Sequence, residues 1–480
     1  MENTDTAHKL DILLIAPPYE DTYGFMDIKT MGWYNPPLGL AYIQSFIKKH
    51  GFKSKTIDMI CLSNPWEKIC EIIAKFKPKY IGISCTTPMI PKAEKISKIA
   101  KGVDKNIKII LGGSHPTAMV QETIGYPWVD FVVFGEGEQT VLELLQDKNH
   151  EDIAGLAFKK NNNVVINKKR ALIKNLDELP FPDVSDLPME KYTSPWLGRA
   201  TNIQMSRGCP YNCTFCASIL VWDRKYRVRS VKNVIAEIKS YIDNYGITNF
   251  LFNDDTFTVS KKITLEFCEE IQRAKLKINW DCLTRLDCVD EELLTAMKKA
   301  GCKVIRYGIE YGSQKQLDSM NKQLEKDKLY DKLKLTQKAG IQTYGFFIIG
   351  QPYSTEQDLM DTIEFARSLP LDYAQFAMIV PLPGTKIWYD CLQKKGISLV
   401  TSDWSRFCFH NLPVVELPGI KPERILYFYR LAYKRFYFHF SFIVKRGLSS
   451  CFSGQILRDI KAFIAFLILT NRKDRLIKGE

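Results

Sequence analysis

Between residues 11 and 145, short apolar runs alternate with stretches whose apolar positions recur every three or four residues. Asp11–Ala16 (DILLIA) is continuous in apolar character after its first residue, as a strand covered on both faces must be. Leu38–His50 then carries helical periodicity and stops at Gly51. Strand-like Lys55–Met59, Tyr80–Cys85, Ile107–Leu111 and Phe131–Phe134 follow, separated by helix-like Trp66–Phe76 and Lys92–Lys101 and closed by Thr140–Gln146. Such alternation predicts an α/β domain built on a doubly wound parallel sheet.

The pattern changes after residue 148. Leu156–Phe158 and Val164–Ile166 flank the polar turn Lys159-Lys160-Asn161-Asn162-Asn163 and read as a hairpin. Leu179-Pro180-Phe181-Pro182 forbids regular helix, so the chain is expected to cross in extended form. From Thr201 the strand–helix alternation resumes six times. The strands are Asn202–Met205, Phe250–Asn253, Asn279–Thr284, Val304–Ile309, Thr343–Ile349 and Ala374–Val380. Helices are expected over Val231–Tyr245, Lys262–Ala274, Glu291–Ala300, Lys328–Ala339 and Glu356–Ser368. Six units predict an open, partial (β/α)6 barrel rather than the closed eightfold form. The expected organisation is a doubly wound domain over 1–148, a connector over 149–199, the partial barrel over 200–390 and a helical extension over 391–480.

Composition leaves this picture intact. The 480 residues are 45% hydrophobic and 25% charged, ordinary for a globular chain with two or three cores. Thirteen cysteines without a secretory leader pattern at Met1–Lys9 point to a reducing cytoplasm. The net charge of +13 is uneven, because Lys421–Glu480 holds 13 Lys and Arg against 4 Asp and Glu. The longest apolar run there, Ala462–Leu469, is far short of the roughly 20 residues a spanning helix needs.

The candidate chemistry is concentrated in Ser206-Arg207-Gly208-Cys209-Pro210-Tyr211-Asn212-Cys213-Thr214-Phe215-Cys216. Cys209, Cys213 and Cys216 in C-x3-C-x2-C spacing can converge on three irons of a [4Fe–4S] cluster, leaving the fourth iron for another ligand. Zinc is the competing reading, but zinc sites pair two ligand spacings and no second C-x2-C occurs. The loop resembles the radical S-adenosylmethionine (SAM) superfamily, with Phe215 as the aromatic of its motif. That resemblance implies SAM on the open iron and reductive cleavage to a 5′-deoxyadenosyl radical. It also implies SAM contacts at barrel strand ends: Asn253, Asp254 and Asp255 near the amino group, Arg285 facing the carboxylate, Glu310 accepting hydroxyl or amino hydrogens, and Gly350 framing the adenine. Alternatively, Asp254–Asp255 could be a helix cap, and Arg285 and Glu310 a structural ion pair.

Loops at the first domain's strand ends carry Tyr19, Thr86, Gly112-Gly113-Ser114-His115-Pro116-Thr117 and Gly135-Glu136-Gly137. Paired glycines let backbone approach a bulky ligand closely. Placed before the cysteine loop, they resemble the cobalamin-binding domain of cobalamin-dependent radical SAM enzymes, which implies corrinoid contacts at Tyr19, Thr86, Gly112, Gly113, His115, Pro116, Thr117, Gly135, Glu136 and Gly137. The D-x-H-x-x-G pattern that supplies a histidine to cobalt elsewhere is absent, so His115 is expected to touch a loop or tail rather than the metal. A flavodoxin-like domain without cobalamin is the plain alternative.

The resemblance implies a methyltransferase acting on unactivated carbon, with an oxidative cyclase like the anaerobic porphyrin cyclases as the alternative and a non-catalytic cobalamin or redox sensor as a distant third. It also implies an electron donor such as flavodoxin or ferredoxin. The tail interleaves Tyr427, Phe428, Tyr429, Tyr433, Phe436, Tyr437, Phe438, Phe440 and Phe442 with Arg430, Lys434, Arg435, Lys445 and Arg446. Packing against the barrel, a peripheral membrane contact and nucleic-acid stacking compete there, and the lack of an RNA module disfavours the last. A hydrophobic small-molecule substrate fits this aromatic tail better than a small polar one.

Overall fold

The computed structural model describes residues 9–20, 22, 33–439 and 442. Of the tail positions named above, Phe440, Lys445, Arg446 and Ala462–Leu469 lie outside the described residues.

Seven strands form the first sheet: β1 Ile12–Ala16, β2 Ser54–Asp58, β3 Tyr80–Ser84, β4 Lys108–Gly112, β5 Phe131–Val133, β6 Leu156–Lys160 and β7 Asn163–Ile166. Their order is β2-β1-β3-β4-β5-β6-β7. β1 to β5 pair in parallel, whereas β6 and β7 join antiparallel. The hairpin expected within the connector is thus continuous with the first sheet, because Phe158 lies opposite Phe131 and extends its apolar face. Separate apolar cores cover the two faces of the sheet, which is why β1 and β5 read as unbroken hydrophobic runs.

The second sheet has six parallel strands: β8 Thr201–Ile203, β9 Asn249–Phe252, β10 Asn279–Thr284, β11 Cys302–Glu310, β12 Gln342–Ile349 and β13 Tyr373–Met378, paired in that order. Helices over Val231–Tyr245, Lys261–Arg273, Glu291–Lys299, Lys326–Lys338 and Glu356–Ser368 stand between them. The sheet curls into an open barrel with β8 and β13 as its two edges. Its lower interior is plugged by Trp196, whose ring lies 5.3 Å from Tyr344 and 6.5 Å from Tyr373.

The tail helix Pro422–Tyr437 packs on the β13 edge and buries Ile425, Leu426, Phe428, Tyr429, Ala432, Tyr433 and Phe436. Tyr433 Oη accepts from Phe376 N at 3.2 Å and donates to Phe376 O at 3.1 Å. One helical turn on, Tyr437 Oη does the same for Ala374, at 3.0 and 2.6 Å. Two phenols spaced i,i+4 therefore stand in for a seventh strand, satisfying backbone groups that an open edge would leave bare. No helix among the described residues is long and apolar enough to cross a membrane.

Candidate functional site

After β8 the chain forms a two-residue ribbon, Ser206–Arg207 against Arg227–Val228, and the cysteine loop springs from it. Gly208 sits at φ +90°, and a Cβ there would lie 2.3 Å from Lys225 O, so only glycine makes this turn. Fully buried Asp254 holds the base of the loop by accepting hydrogen bonds from Met205 N, Ser206 N and Ser206 Oγ. Burial pushes its carboxyl up to about 7 despite those bonds. From the other side, Met320 O accepts from Thr214 N at 3.1 Å and Asn321 Nδ2 donates to Asn212 O at 2.8 Å.

Cys209, Cys213 and Cys216 all line one cavity of about 620 Å3 at the C-terminal ends of the barrel strands. No three His, Cys, Asp or Glu side chains among the described residues are placed to share a single metal ion. Three cysteines lining one cavity suit a cluster, in which each thiolate takes a different iron. Burial raises the Cys216 thiol to about 12 and that of Cys213 in the same direction, so both stay protonated near pH 7 unless a metal takes the proton's place.

The other strand ends close round the same cavity. Phe215, Asp255, Arg285 and Glu310 line it, and Asp255 accepts from Ser218 Oγ at 2.8 Å. Arg285 forks onto Asp287 at 2.9 and 2.8 Å and lies 3.7 Å over the ring of Tyr211. Its Nη1 is buried with no partner among the described residues. An orphaned guanidinium donor on a residue that lines this cavity fits a carboxylate-bearing ligand such as SAM.

Glu310 ends β11 at φ +73°, a left-handed conformation that is costly for a side chain of this size. There its Oε1 accepts from Lys322 Nζ at 2.8 Å. Burial works against the charge on Lys322, but Glu310 and Cys213 outweigh it and raise its pKa. The pair passes over Gly308, where a Cβ would lie 2.5 Å from Glu310 Oε1 and 2.8 Å from Lys322 Nζ. The same ammonium lies 5.9 Å from the Phe215 ring centroid. Lys322 escaped the sequence reading; the signal for it was a lone lysine in the loop after a short helix, which looks like any solvated residue.

A second cavity of about 410 Å3 opens between the two domains. Its floor is apolar sheet and helix surface, including Leu14, Gly82, Ile110 and Val133, and its rim carries Gly112, Gly113, Thr117, Gly135, Glu136 and Gly137. Gly113 sits at φ +107°, where a Cβ would lie 2.6 Å from Cys85 O. A flat apolar floor under a glycine rim admits a bulky planar group, so the residues present fit a corrinoid's tail. The barrel contributes Gln204, Arg207, Trp222 and Asn253 to the far wall. The turn Asn253-Asp254-Asp255 thus separates the two cavities, with Asn253 facing one and Asp255 the other.

The domains are joined beside this cleft by buried charge. Glu136 accepts from Arg207 Nη1 at 2.8 Å, from Arg227 Nη1 at 3.0 Å and from Ile173 N at 2.7 Å. Glu138 takes Arg207 Nη2 at 2.7 Å. The two arginines lie directly opposite on the ribbon, and the two glutamates balance them. Burial opposes the charge on Arg207, but Glu138 and Glu136 overcome it and raise its pKa.

Not every expected residue reaches a cavity. Tyr19 lines the barrel cavity rather than the interdomain cleft, Thr86 is exposed, and Asp254 and Gly350 line neither. His115 and Pro116 are buried away from the cleft; His115 meets Thr87 Oγ1 at 3.2 Å and the edge of Trp404 at 5.1 Å. Desolvation lowers His115 to about 4.

Residues 27–145 match the B12 binding domain family and residues 203–366 the Radical SAM superfamily. An uncharacterized methyltransferase of Pyrococcus horikoshii is 35% identical over 455 residues, covering 92% of this chain and 97% of that protein. The anaerobic magnesium-protoporphyrin IX monomethyl ester cyclase of Rubrivivax gelatinosus is 30% identical over 423 residues, 85% of this chain and 75% of the relative. Among solved structures, the radical SAM methyltransferase TsrM of Kitasatospora setae, with cobalamin and a [4Fe–4S] cluster bound, superposes with a TM-score of 0.67 at 16% identity over 82% of this chain and 81% of that one. This last likeness is one of fold.

Proposed function

Because the chain belongs to the radical SAM enzymes that carry a B12-binding domain, with a [4Fe–4S] cluster, SAM and cobalamin as its cofactors, we propose that it methylates an unactivated carbon of a hydrophobic small molecule. When bound, these groups supply a radical that can break an aliphatic C–H bond and a transferable methyl group. The chain's own work is binding, orientation and the exclusion of water. Cys209, Cys213 and Cys216 would hold the cluster, with Phe215 beside it. Arg285 would face the SAM carboxylate, Glu310 would accept from its hydroxyl or amino groups, and Asn253 and Asp255 would complete that wall. Gly112, Gly113, Thr117, Gly135, Glu136 and Gly137 would form the corrinoid rim.

The observation that carries this reading is the shared wall, one turn of chain with a glycine-rimmed cleft on one side and the three thiols on the other. Anaerobic incubation of reconstituted protein with methyl-labelled SAM and candidate substrates tests it. Label in the product, with both 5′-deoxyadenosine and S-adenosylhomocysteine formed, is the expected result. Replacing all three loop cysteines by alanine should abolish the iron chromophore and SAM cleavage together.

The cyclase relative supports a second reading, oxidative ring closure, which would give 5′-deoxyadenosine without S-adenosylhomocysteine. An electron donor of the flavodoxin or ferredoxin type would serve either reaction. A peripheral membrane contact through the basic tail belongs to the same proposal, and vesicle cosedimentation against a tail-deleted protein would test it.

A further inference from the structure

The half of the barrel cavity remote from the cysteines is walled by Phe346 and Ile348 of β12, Ala377 of β13, and Phe409. Two polar side chains stand among them, Gln375 and His410. Gln375 projects inward from β13, in register with Phe346, and is half-buried. Its amide is held from behind by two buried side chains: Tyr344 Oη donates to Oε1 at 3.0 Å, and Nε2 donates to His410 Nε2 at 2.8 Å. His410 Nδ1 in turn meets Tyr429 Oη of the tail helix at 3.1 Å. Desolvation lowers His410 to about 3, so the relay stays neutral near pH 7. Those partners use one N–H and one lone pair of the amide, and an amide has two of each. A donor and an acceptor therefore remain, fixed in direction, on a wall whose other polar member, His410, has both ring nitrogens engaged.

Charge narrows the ligand further. Every cation lining this cavity among the described residues already has a carboxylate of its own: Arg285 with Asp287 at 2.8 Å, Arg306 with Asp281 at 2.9 Å and Lys322 with Glu310 at 2.8 Å. Two guanidinium donors here lack a hydrogen-bond partner among the described residues: Arg285 Nη1, proposed above to face the SAM carboxylate, and Arg306 Nε. Each guanidinium is already neutralised by its own carboxylate, so neither offers a net charge to an anionic substrate. A phosphate or carboxylate on the substrate would be buried without compensation.

We propose that Gln375 recognises a neutral hydroxyl or carbonyl oxygen on an otherwise apolar substrate, and that the cavity discriminates against anionic derivatives of that substrate. The proposal rests on the functional reading above only for which cavity receives the substrate. The test is equilibrium dialysis of the full-length protein, reconstituted with cluster and cobalamin, against two probe pairs: farnesol with farnesyl phosphate, and a polycyclic triterpenoid alcohol with its hemisuccinate. At least one alcohol is expected to bind, at least tenfold tighter than its charged partner. Q375L should weaken that binding by about tenfold, the worth of one hydrogen bond, while iron content and SAM affinity stay unchanged. Equal or tighter binding of the charged partner, failure of both alcohols to bind, or unchanged alcohol affinity in a folded Q375L overturns it. The wild-type comparison needs no variant and stands even where Q375L does not fold. Alcohol binding without methyl transfer would sink the methylation reading and leave this one; methyl transfer to an anionic compound would do the reverse.

Discussion

Glu136 Oε1 lies 2.8 Å from Arg207 Nη1, and Arg207 is two residues ahead of the first cysteine of the loop. A carboxylate of the first domain's glycine-rich rim is therefore in direct contact with the strand that launches the thiol-bearing loop of the second. Both partners are almost entirely out of water, their side chains 2% and 6% exposed, so the pair is intolerant of losing either member. This contact and its neighbour Glu138 tie the rim of one cavity to the wall of the other, alongside the bond from Asn202 Nδ2 to Pro36 O and that between Arg229 and Tyr42.

Removing Glu138 leaves Arg207 with half its compensation. Glu138→Ala is expected to cost about 3 kcal/mol, since breaking a buried ion pair from one side strands the other charge. Urea unfolding under anaerobic conditions should show that loss, and iron content and corrinoid retention should fall together. A variant with wild-type stability and full cofactor content would show that the clasp is dispensable.

Much of the fold was legible because parallel strands covered on both faces become unbroken apolar runs, as in Ile12–Ala16 and Phe131–Val133. The loop bearing Cys209, Cys213 and Cys216 was legible because its chemistry needs three thiols within a few residues. The clasp was not, since nothing local in Glu136 or Arg207 says that domains separated by a long connector will meet there. The loop of Glu136 predicts a corrinoid contact; the residue lines the cleft, yet its carboxylate is engaged by two arginines. Lys322 was invisible for the same reason, because its role depends on a strand end twelve residues earlier in the chain.

Lys322→Met removes the ammonium that fixes Glu310 and leaves that carboxylate buried alone. SAM affinity of the reconstituted protein is expected to fall about tenfold or more, with iron content retained and the cluster's EPR response to SAM diminished. Lys322→Arg should recover part of the affinity by restoring the charge. Unchanged SAM binding in Lys322→Met would separate Lys322 from the cofactor site.

The phenols of Tyr433 and Tyr437 close the open edge of the barrel. Tyr433→Phe strips two hydrogen bonds from Phe376 and leaves its backbone groups buried against an apolar ring. A loss of about 2 kcal/mol is expected, with a similar loss for Tyr437→Phe. The double variant should also aggregate in a concentration-dependent way, because the exposed edge can pair with another chain. Light scattering at matched concentrations checks this, and a double variant as soluble as the parent would count against the edge-capping role.

His410 makes stability depend on pH in a predictable sense. In the unfolded chain its imidazole takes a proton near 6.5, whereas burial beside Gln375 and Tyr429 holds it neutral down to about 3. Between those values the unfolded state binds more protons, so folding weakens as pH falls. At pH 5 the unfolded group is already about 1.5 units below its own pKa, a differential of about 2 kcal/mol. Asp254 acts the other way, its raised pKa favouring the folded state as pH falls below about 7, but it is common to both proteins in a comparison with His410→Gln. The difference in unfolding free energy between wild type and His410→Gln therefore isolates the histidine. It should shrink, or turn in favour of the variant, by about 2 kcal/mol between pH 7.5 and pH 5, read from urea midpoints at each pH. A difference that stays constant across that range would mean that His410 takes up its proton at the same pH folded as unfolded, and the desolvation argued for it behind Gln375 would be wrong.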